Sequence, residues 1–256
     1  MVRPEHLPTR VAKRLHIVSW NILAPVYMKC QYYASTTCSN LSIQSRRPKI
    51  YHMLEWMNAD VYLLQEVTQT EFRKLRSLYP AYHWFFQPHA FHYWKESSEH
   101  EWNGNAIAIK KSTGFKQLKK HSLRLSKGNR GLLVTGTLNG SLLSFVSLHL
   151  DDSSDHCRNL QLDQLFKIIQ PPSLLVMGGD LNDEFGTVVK QFQQQGFQTS
   201  PSNPTYFEEG PMALDYLMVL HFPHQPFWYI PPIHRTEIIP KFGSDHLPIT
   251  GILRIN

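Results

Sequence analysis

A handful of polar residues in this chain are of types that can handle a phosphate. They are Asn21 after Trp20, Glu66 after Gln65, Asn105, His149, the triplet Asp180-Leu181-Asn182, Asp215, and the pair Asp245-His246. Carboxylates and amides are hard oxygen donors. Mg²⁺ takes one or two carboxylates and completes its shell with waters and substrate phosphate. A His held by a carboxylate is a proton-transfer group. Asp180 and Asn182 are two apart, so an extended backbone projects both to one side. There a carboxylate can align a water while the amide meets a phosphate oxygen. Gly178-Gly179 just before them permit a tight turn where a substrate approaches. Singly, each has an ordinary explanation: a strand-end charge for Glu66, an Asx turn for the triplet, a structural ring for any one of 14 histidines.

Strand ends are where such residues can meet. Leu15 to Ile22 is apolar with β-branched residues and predicts a strand that delivers Asn21. Val61 to Val67 predicts a buried strand carrying Glu66, and Asn105 to Lys111 another. Gly131 to Leu138 and Ser141 to Leu150 flank Asn139-Gly140, a pair suited to a type I′ turn, so a hairpin brings His149 to a strand end. Leu174 to Met177 predicts a strand feeding the glycines, Leu214 to Leu220 one at Asp215, and Leu247 to Ile255 a closing strand. Ile50, Met53, Leu54 and Met57 hold helical spacing, with Pro48 near the first turn. Further helices are expected over Thr70 to Leu78, before Pro80, and Asp155 to Ile169, before Pro171-Pro172. Phe222 to Pro232 reads as loop. With no repeat and no linker, the simplest account is one α/β domain over residues 15–256 behind a basic arm at 1–14.

A 256-residue chain with 42% hydrophobic content suits a globular domain. No apolar run approaches about 18 residues and no signal-peptide pattern opens the chain. A soluble, monomeric, intracellular protein of cytoplasm or nucleus, with no membrane partner, is therefore expected. Cys30, Cys38 and Cys157 are odd in number and lack Cys-x-x-Cys spacing, which suits reduced thiols. The net charge of +6 favours a polyanionic partner. Positive residues thicken at Arg10 to Arg14, Arg46 to Lys49 and Lys110 to Arg130.

In chain order, Trp20-Asn21, Leu64-Gln65-Glu66, Asn103-Gly104-Asn105-Ala106, Ser147-Leu148-His149-Leu150, Gly179-Asp180-Leu181-Asn182, Leu214-Asp215-Tyr216 and Ser244-Asp245-His246 form an ordered set. That set resembles the endonuclease/exonuclease/phosphatase superfamily, the magnesium-dependent phosphodiesterases that include DNase I-like nucleases. The likeness runs from Leu15 to Asn256. It implies a four-layer α/β sandwich, two packed mixed β-sheets flanked by helices, with the active site at one rim. It also implies Mg²⁺, with Mn²⁺ as a substitute. By resemblance, Glu66 ligates the metal with Asn21 and Asp245 beside it. Asp180 positions or deprotonates the attacking water, and Asn182 holds the scissile phosphate. His246, oriented by Asp215, contacts that phosphate or acts as acid or base, and His149 binds or protonates it. Asn105 and Arg158, the latter one helical turn before Gln161, are candidates for holding substrate.

Ser19-Trp20-Asn21-Ile22-Leu23-Ala24 and the run from Ala59 to Val67 are similar to the carbon-catabolite-repressor-type deadenylases and their nocturnin and Angel relatives. Those enzymes remove 3′ nucleotides from RNA. Asn129-Arg130-Gly131 and the loop from His149 to Arg158 look closer to tyrosyl-DNA phosphodiesterase-like members. The resulting expectation is a nuclease with 3′-exonuclease character on RNA or single-stranded DNA. The alternative is a tyrosyl-DNA phosphodiesterase-like or DNA repair nuclease, or, fitting less well, a phosphatase or phospholipase-type phosphoesterase. Ala213-Leu214-Asp215-Tyr216 departs from the Trp-Cys-Asp-Arg segment of inositol-polyphosphate phosphatases, and Leu148-His149-Leu150 from the tyrosine-bearing segment of abasic-site endonucleases. Tyr82, Trp84, Phe85, Phe86, Phe91, Tyr93, Trp94 and Trp102 are candidates either for stacking bases or for packing a core. Two other classes fit poorly. A catalytically silent nucleic-acid-binding module is opposed by the intact Glu66, Asp180, Asn182 and His246. A zinc hydrolase on His89-x-x-His92 or His221-x-x-His224 lacks a third ligand nearby.

Overall fold

Strands that are apolar on both faces must be covered on both sides. The computed structural model describes residues 13–28, 31, 33, 38–90, 102–169, 174–207, 210–224, 226–231 and 238–255. In chain order its strands are β1 (Lys13–Asn21), β2 (Val61–Thr68), β3 (Tyr82–Pro88), β4 (Asn103–Lys110), β5 (Lys116–Arg124) and β6 (Arg130–Leu138). Then come β7 (Ser141–His149), β8 (Leu174–Asp180), β9 (Gln198–Thr199), β10 (Asp215–Leu220), β11 (Phe227–Tyr229) and β12 (Ile249–Ile255). The helices are α1 (Cys38–Leu41), α2 (Ile43–Met57), α3 (Gln69–Leu78), α4 (Asp155–Ile168), α5 (Thr187–Gln194) and α6 (Ile238–Phe242).

The strands form two mixed sheets, ordered β11-β12-β1-β2-β4-β3 and β5-β6-β7-β8-β10-β9. Leu15 and Ile17 of β1, Leu63 of β2, Phe145 of β7, Val176 of β8 and Leu217 of β10 meet in one cluster between the sheets. The alternate residues face outward, because side chains along a strand change face at every step. Val18, Trp20 and Leu64 pack with Ile50, Leu54, Leu75 and Phe242 of the helices on the first sheet. Val146, Leu175 and Met218 pack with Leu162, Leu165 and Phe192 on the second. The result is helix, sheet, sheet, helix.

Two parallel pairs fix where the polar strand ends fall. β1 runs parallel to β2, pairing Asn21 with Gln65. β7 runs parallel to β8, pairing His149 with Asp180. The antiparallel β10 starts at the same edge, its Asp215 opposite Asp180. Asn21 of one sheet hydrogen-bonds Asp180 of the other, so both rims coincide.

Several expectations need correction. β8 continues through Asp180, so Gly178 and Gly179 are strand residues rather than a turn. They are small because of close packing: a Cβ on Gly178 would sit 2.7 Å from the Ser19 side chain, and one on Gly179 only 2.2 Å from the Leu148 carbonyl oxygen. β1 begins at Lys13, whose neighbour Arg14 pairs with Arg254, so the end of the basic arm belongs to the sheet. α2 starts at Ile43 with Ser42 as its cap, which places Pro48 inside the helix, beyond its first turn. The stretch read as loop contains the edge strand β11. Arg46 to Lys49 is not an open cationic surface, since Arg46 is fully buried and Arg47 pairs with Glu71 at 2.8 Å.

The aromatic run resolves toward packing where it is described. Phe72 stacks on Phe86 with ring centres 4.9 Å apart, and Tyr82 packs on Tyr62. Trp102 remains exposed. Phe91, His92, Tyr93, Trp94, Cys30, Pro171, Pro172 and the chain before Lys13 lie outside the described residues. Cys157 is a buried free thiol. No helix among the described residues is long and apolar enough to cross a membrane.

Candidate active site

Asp180 is the centre of the rim. Its Oδ2 accepts from Asn21 Nδ2 at 3.0 Å and lies 3.7 Å from His149 Nε2 and 3.6 Å from His246 Nε2. Its Oδ1 accepts the Asn182 backbone N–H at 3.0 Å. This carboxylate therefore stands between two imidazoles drawn from β7 and from the loop before β12.

Glu66 reaches the same place through a break in β2. The pairing of β2 with β4 shifts register between Leu64 and Val67, and Glu66 itself takes φ 56°. Such a bulge redirects a side chain, and left-handed backbone at a non-glycine residue is tolerated where surrounding contacts hold it. Glu66 Oε1 accepts from Asn21 Nδ2 at 2.8 Å, and Oε2 from the Ala24 N–H at 2.8 Å. Burial pushes its carboxyl pKa up, with His149 acting against the rise and Asp245 adding to it.

Asn21 lies between the two carboxylates and corrects one expectation. Its oxygen is turned back to accept the Leu23 N–H at 2.9 Å, so it offers the carboxylates its NH₂ group and not an oxygen. Leu23 N–H needs an acceptor and the carboxylates need donors, which sets the amide's orientation. Asn182 also differs: φ 49° takes it out of the extended line, and its side-chain NH₂ donates to the Leu150 carbonyl at 3.0 Å. It therefore does not share a strand face with Asp180.

His246 Nδ1 donates to Asp215 Oδ2 at 2.7 Å, leaving Nε2 turned toward Asp180. Burial opposes the imidazolium, but Asp215, Asp180 and Asp245 outweigh it and hold the pKa well above the ordinary histidine value. Asp215 is itself pushed up by burial, a rise that His246 partly offsets. The segment Ser244-Asp245-His246 is fixed from several sides. Ser244 Oγ donates to the Asn21 carbonyl at 2.6 Å, Trp20 Nε1 to the His246 carbonyl at 2.9 Å, and Tyr33 OH to Asp245 Oδ2 at 2.9 Å. Replacing Asp215 with Asn leaves a neutral neighbour for His246. Its kcat should fall on the order of 10²–10⁴-fold, the usual share of a positioned acid or base. Steady-state turnover beside a thermal melt checks this.

Two residues expected to bind substrate are engaged elsewhere. Asn105 is fully buried below the rim, and its NH₂ donates to the Arg130 carbonyl at 2.7 Å. Arg158 donates to the Asp151 carbonyl at 3.0 Å and pairs with Asp155, one turn earlier on α4. Gln161 works with it, accepting from the Asp151 N–H at 2.9 Å. Both side chains brace the loop after His149.

One supporting residue escaped the sequence reading. Arg46 donates to the carbonyls of Leu23 at 2.9 Å, Gly243 at 2.8 Å and Leu41 at 3.2 Å. It thus ties the chain after Asn21 to the chain before Ser244. A signal existed, since Arg46 falls at helical spacing with Ile50, Met53, Leu54 and Met57, on the apolar stripe of α2.

Ligand atoms of Glu66, His149 and Asp180 all lie within 4.8 Å of one another, and so do those of Asp180, Asp215 and His246. No described group donates to the buried Asp245 Oδ1. Crowded carboxylates, one of them with an orphaned buried oxygen, are a donor set suited to a hard divalent cation. His221 and His224 fall in no such group among the described residues, nor does His89.

A family model described as the Endonuclease/Exonuclease/phosphatase family matches residues 18–246, from β1 through His246. The chain belongs to that family. Its members hydrolyse phosphoester bonds. No curated protein matches the chain by sequence. Solved structures share the fold at low identity. ANGEL2, described as a 2′,3′-cyclic phosphatase, superposes with a TM-score of 0.75 at 16% identity over 95% of this chain and 96% of that one. The human Nocturnin catalytic domain gives 0.73 at 18% over 94% of each. Truncated TDP2 from Caenorhabditis elegans gives 0.64 at 18% over 94% of this chain and 98% of that one.

Proposed function

We propose that the protein is a Mg²⁺-dependent phosphodiesterase that cuts nucleic acid, with 3′-exonuclease character on RNA or single-stranded DNA. The observation that carries this is Asp180 Oδ2 lying between His149 Nε2 and His246 Nε2, with Asn21 linking it to Glu66. A carboxylate so placed can align a water on one side of a phosphate while an imidazole meets the phosphate oxygens. His246, fixed at Nδ1 by Asp215, presents Nε2 as the group that contacts the phosphate or gives a proton to the leaving oxygen. His149 binds the phosphate from the neighbouring strand. Glu66 holds the cation with Asp245 nearby, and Asn21 keeps Glu66 and Asp180 in place. Asn182, held by Leu150, is within reach of a phosphate through its remaining amide hydrogen. A cation bound by this set, Mg²⁺ or Mn²⁺, would draw charge from the phosphate oxygens and so ease attack.

The catalytic unit is residues 13–256 as one domain, acting as a monomer in the cytoplasm or nucleus. The net charge of +6 and the similarity of the first strand to RNA-trimming relatives support the choice of substrate. A panel with Mg²⁺ tests it: poly(A), mixed RNA, single- and double-stranded DNA, abasic duplex, RNA ending in a 2′,3′-cyclic phosphate, 5′-tyrosyl DNA, and an inositol phosphate. The expected result is stepwise release of mononucleotides from RNA or single-stranded DNA 3′ ends, lost on adding EDTA and regained with Mg²⁺ or Mn²⁺. Turnover confined to the cyclic phosphate, the tyrosyl adduct or the inositol phosphate would overturn the nuclease reading.

A further inference from the structure

Between Glu101 and Asp151 the sequence has no Asp or Glu, yet it has eight Lys and Arg. Four of them fall on one edge strand, Lys116 and Lys119 on one face and Lys120 and Arg124 on the other. β5 is the outermost strand of its sheet, and Lys116, Lys119, Lys120 and Arg124 are exposed on it. Lys116, Lys119 and Arg124 make no side-chain hydrogen bond or ion pair among the described residues. Lys120 reaches across to the Phe86 carbonyl of β3.

The strand leads into the site. Arg124 pairs in register with Arg130. The Arg130 N–H donates to His89 Nδ1 at 3.0 Å, and the His89 ring lies edge-on to His149 with centres 6.1 Å apart. Lys127, in the turn after β5, donates to Ser153 Oγ at 3.2 Å on the loop that follows His149. Lysines on an edge strand by themselves discourage pairing with another sheet. That role does not require a long segment free of carboxylates, nor a cationic strand that ends at a phosphate-handling rim.

We propose that β5 is a docking track for the sugar–phosphate backbone of a single-stranded nucleic acid, holding the part of the strand beyond the bond being cut. This rests on the nuclease reading of the site and adds to it that the substrate is a polymer. From Lys116 to Arg124 the track is on the order of 25 Å long at about 3.3 Å per residue, enough for several nucleotides. Cations along both faces of a strand edge neutralise phosphates and release counterions, so the contact is salt-dependent and indifferent to base sequence.

The test compares wild type with the triple variant Lys116→Gln, Lys119→Gln, Arg124→Gln. Binding to a fluorescent single strand of about 20 nucleotides is followed by anisotropy in EDTA across a salt series. Turnover of that strand and of one about 4 nucleotides long is followed with Mg²⁺. The slope of log affinity against log salt should shrink by about 2, since each phosphate contact on a single strand contributes about 0.7. Turnover of the long strand should drop about tenfold at low substrate, while the short strand, which reaches only the rim, is cut as before. An unchanged salt slope overturns the track whatever cleavage shows. So does loss of binding to phosphatidylserine vesicles with oligonucleotide binding intact. A reduced slope in a protein that cuts no nucleic acid would keep the track and reject the nuclease reading instead.

Discussion

Replacing His246 or Glu66 with Ala is expected to abolish phosphodiester cleavage in practice, a loss on the order of 10²–10⁴-fold or more for each. The reasons differ. His246 Nε2 is the imidazole atom held against Asp180 by the Asp215 contact at 2.7 Å, and Ala offers no replacement. Glu66 accepts from both Asn21 and the Ala24 N–H, so its loss also strands two buried donors, at a cost of about 1–3 kcal/mol each. Glu66→Gln separates the two effects. It keeps the shape and one of the two hydrogen bonds but not the charge, so it should melt closer to wild type than Glu66→Ala does and still fail to turn over substrate. Near-normal turnover in purified His246→Ala or Glu66→Gln protein sinks the site assignment.

A large stability effect should come from a single added methyl group. Gly179→Ala places a carbon 2.2 Å from the Leu148 backbone oxygen, across the β7–β8 pair, where no rotamer change relieves it. Over-packing of this kind costs about 1–3 kcal/mol and more where backbone must move, so roughly 3 kcal/mol or above is expected. For a domain of this size that lowers Tm by roughly 6–12 °C. Gly178→Ala should cost less. It meets the side chains of Ser19 and Leu63 across the sheet interface, which have some freedom to shift. Thermal melts of the two variants check the ranking. Equal midpoints would mean that the close approach to Leu148 is not what excludes a side chain at Gly179.

Much of the fold was legible because buried strands and an amphipathic helix leave periodic patterns. β1, β2, β4, β6, β7, β8, β10 and β12 fall close to their expected ranges, and Asn139-Gly140 makes the expected hairpin, with both residues at positive φ. β5 was not read as a strand because its exposed edge carries charges at successive positions and so shows no alternation. β3 hid in a run of consecutive aromatics. The Gly178-Gly179 pair misled for a related reason. Sequence reports that a side chain is absent but not whether a turn or a neighbouring chain excludes it.

The sequence by itself supplied most of the candidate side chains, their order along the chain and the family they belong to, because strand-end polar residues after apolar runs are a local pattern; that Asn105 and Arg158 are engaged elsewhere it did not show. Tertiary structure decided how they meet. Strand order made His149 and Asp180 neighbours, a bulge turned Glu66 to the rim, and competition for hydrogen bonds faced the Asn21 nitrogen toward the carboxylates. Periodicity fixes the face of a strand on which a residue lies. Which strands adjoin, in what register, and which donor meets which acceptor depend on contacts between residues far apart in the chain, and no local pattern encodes those.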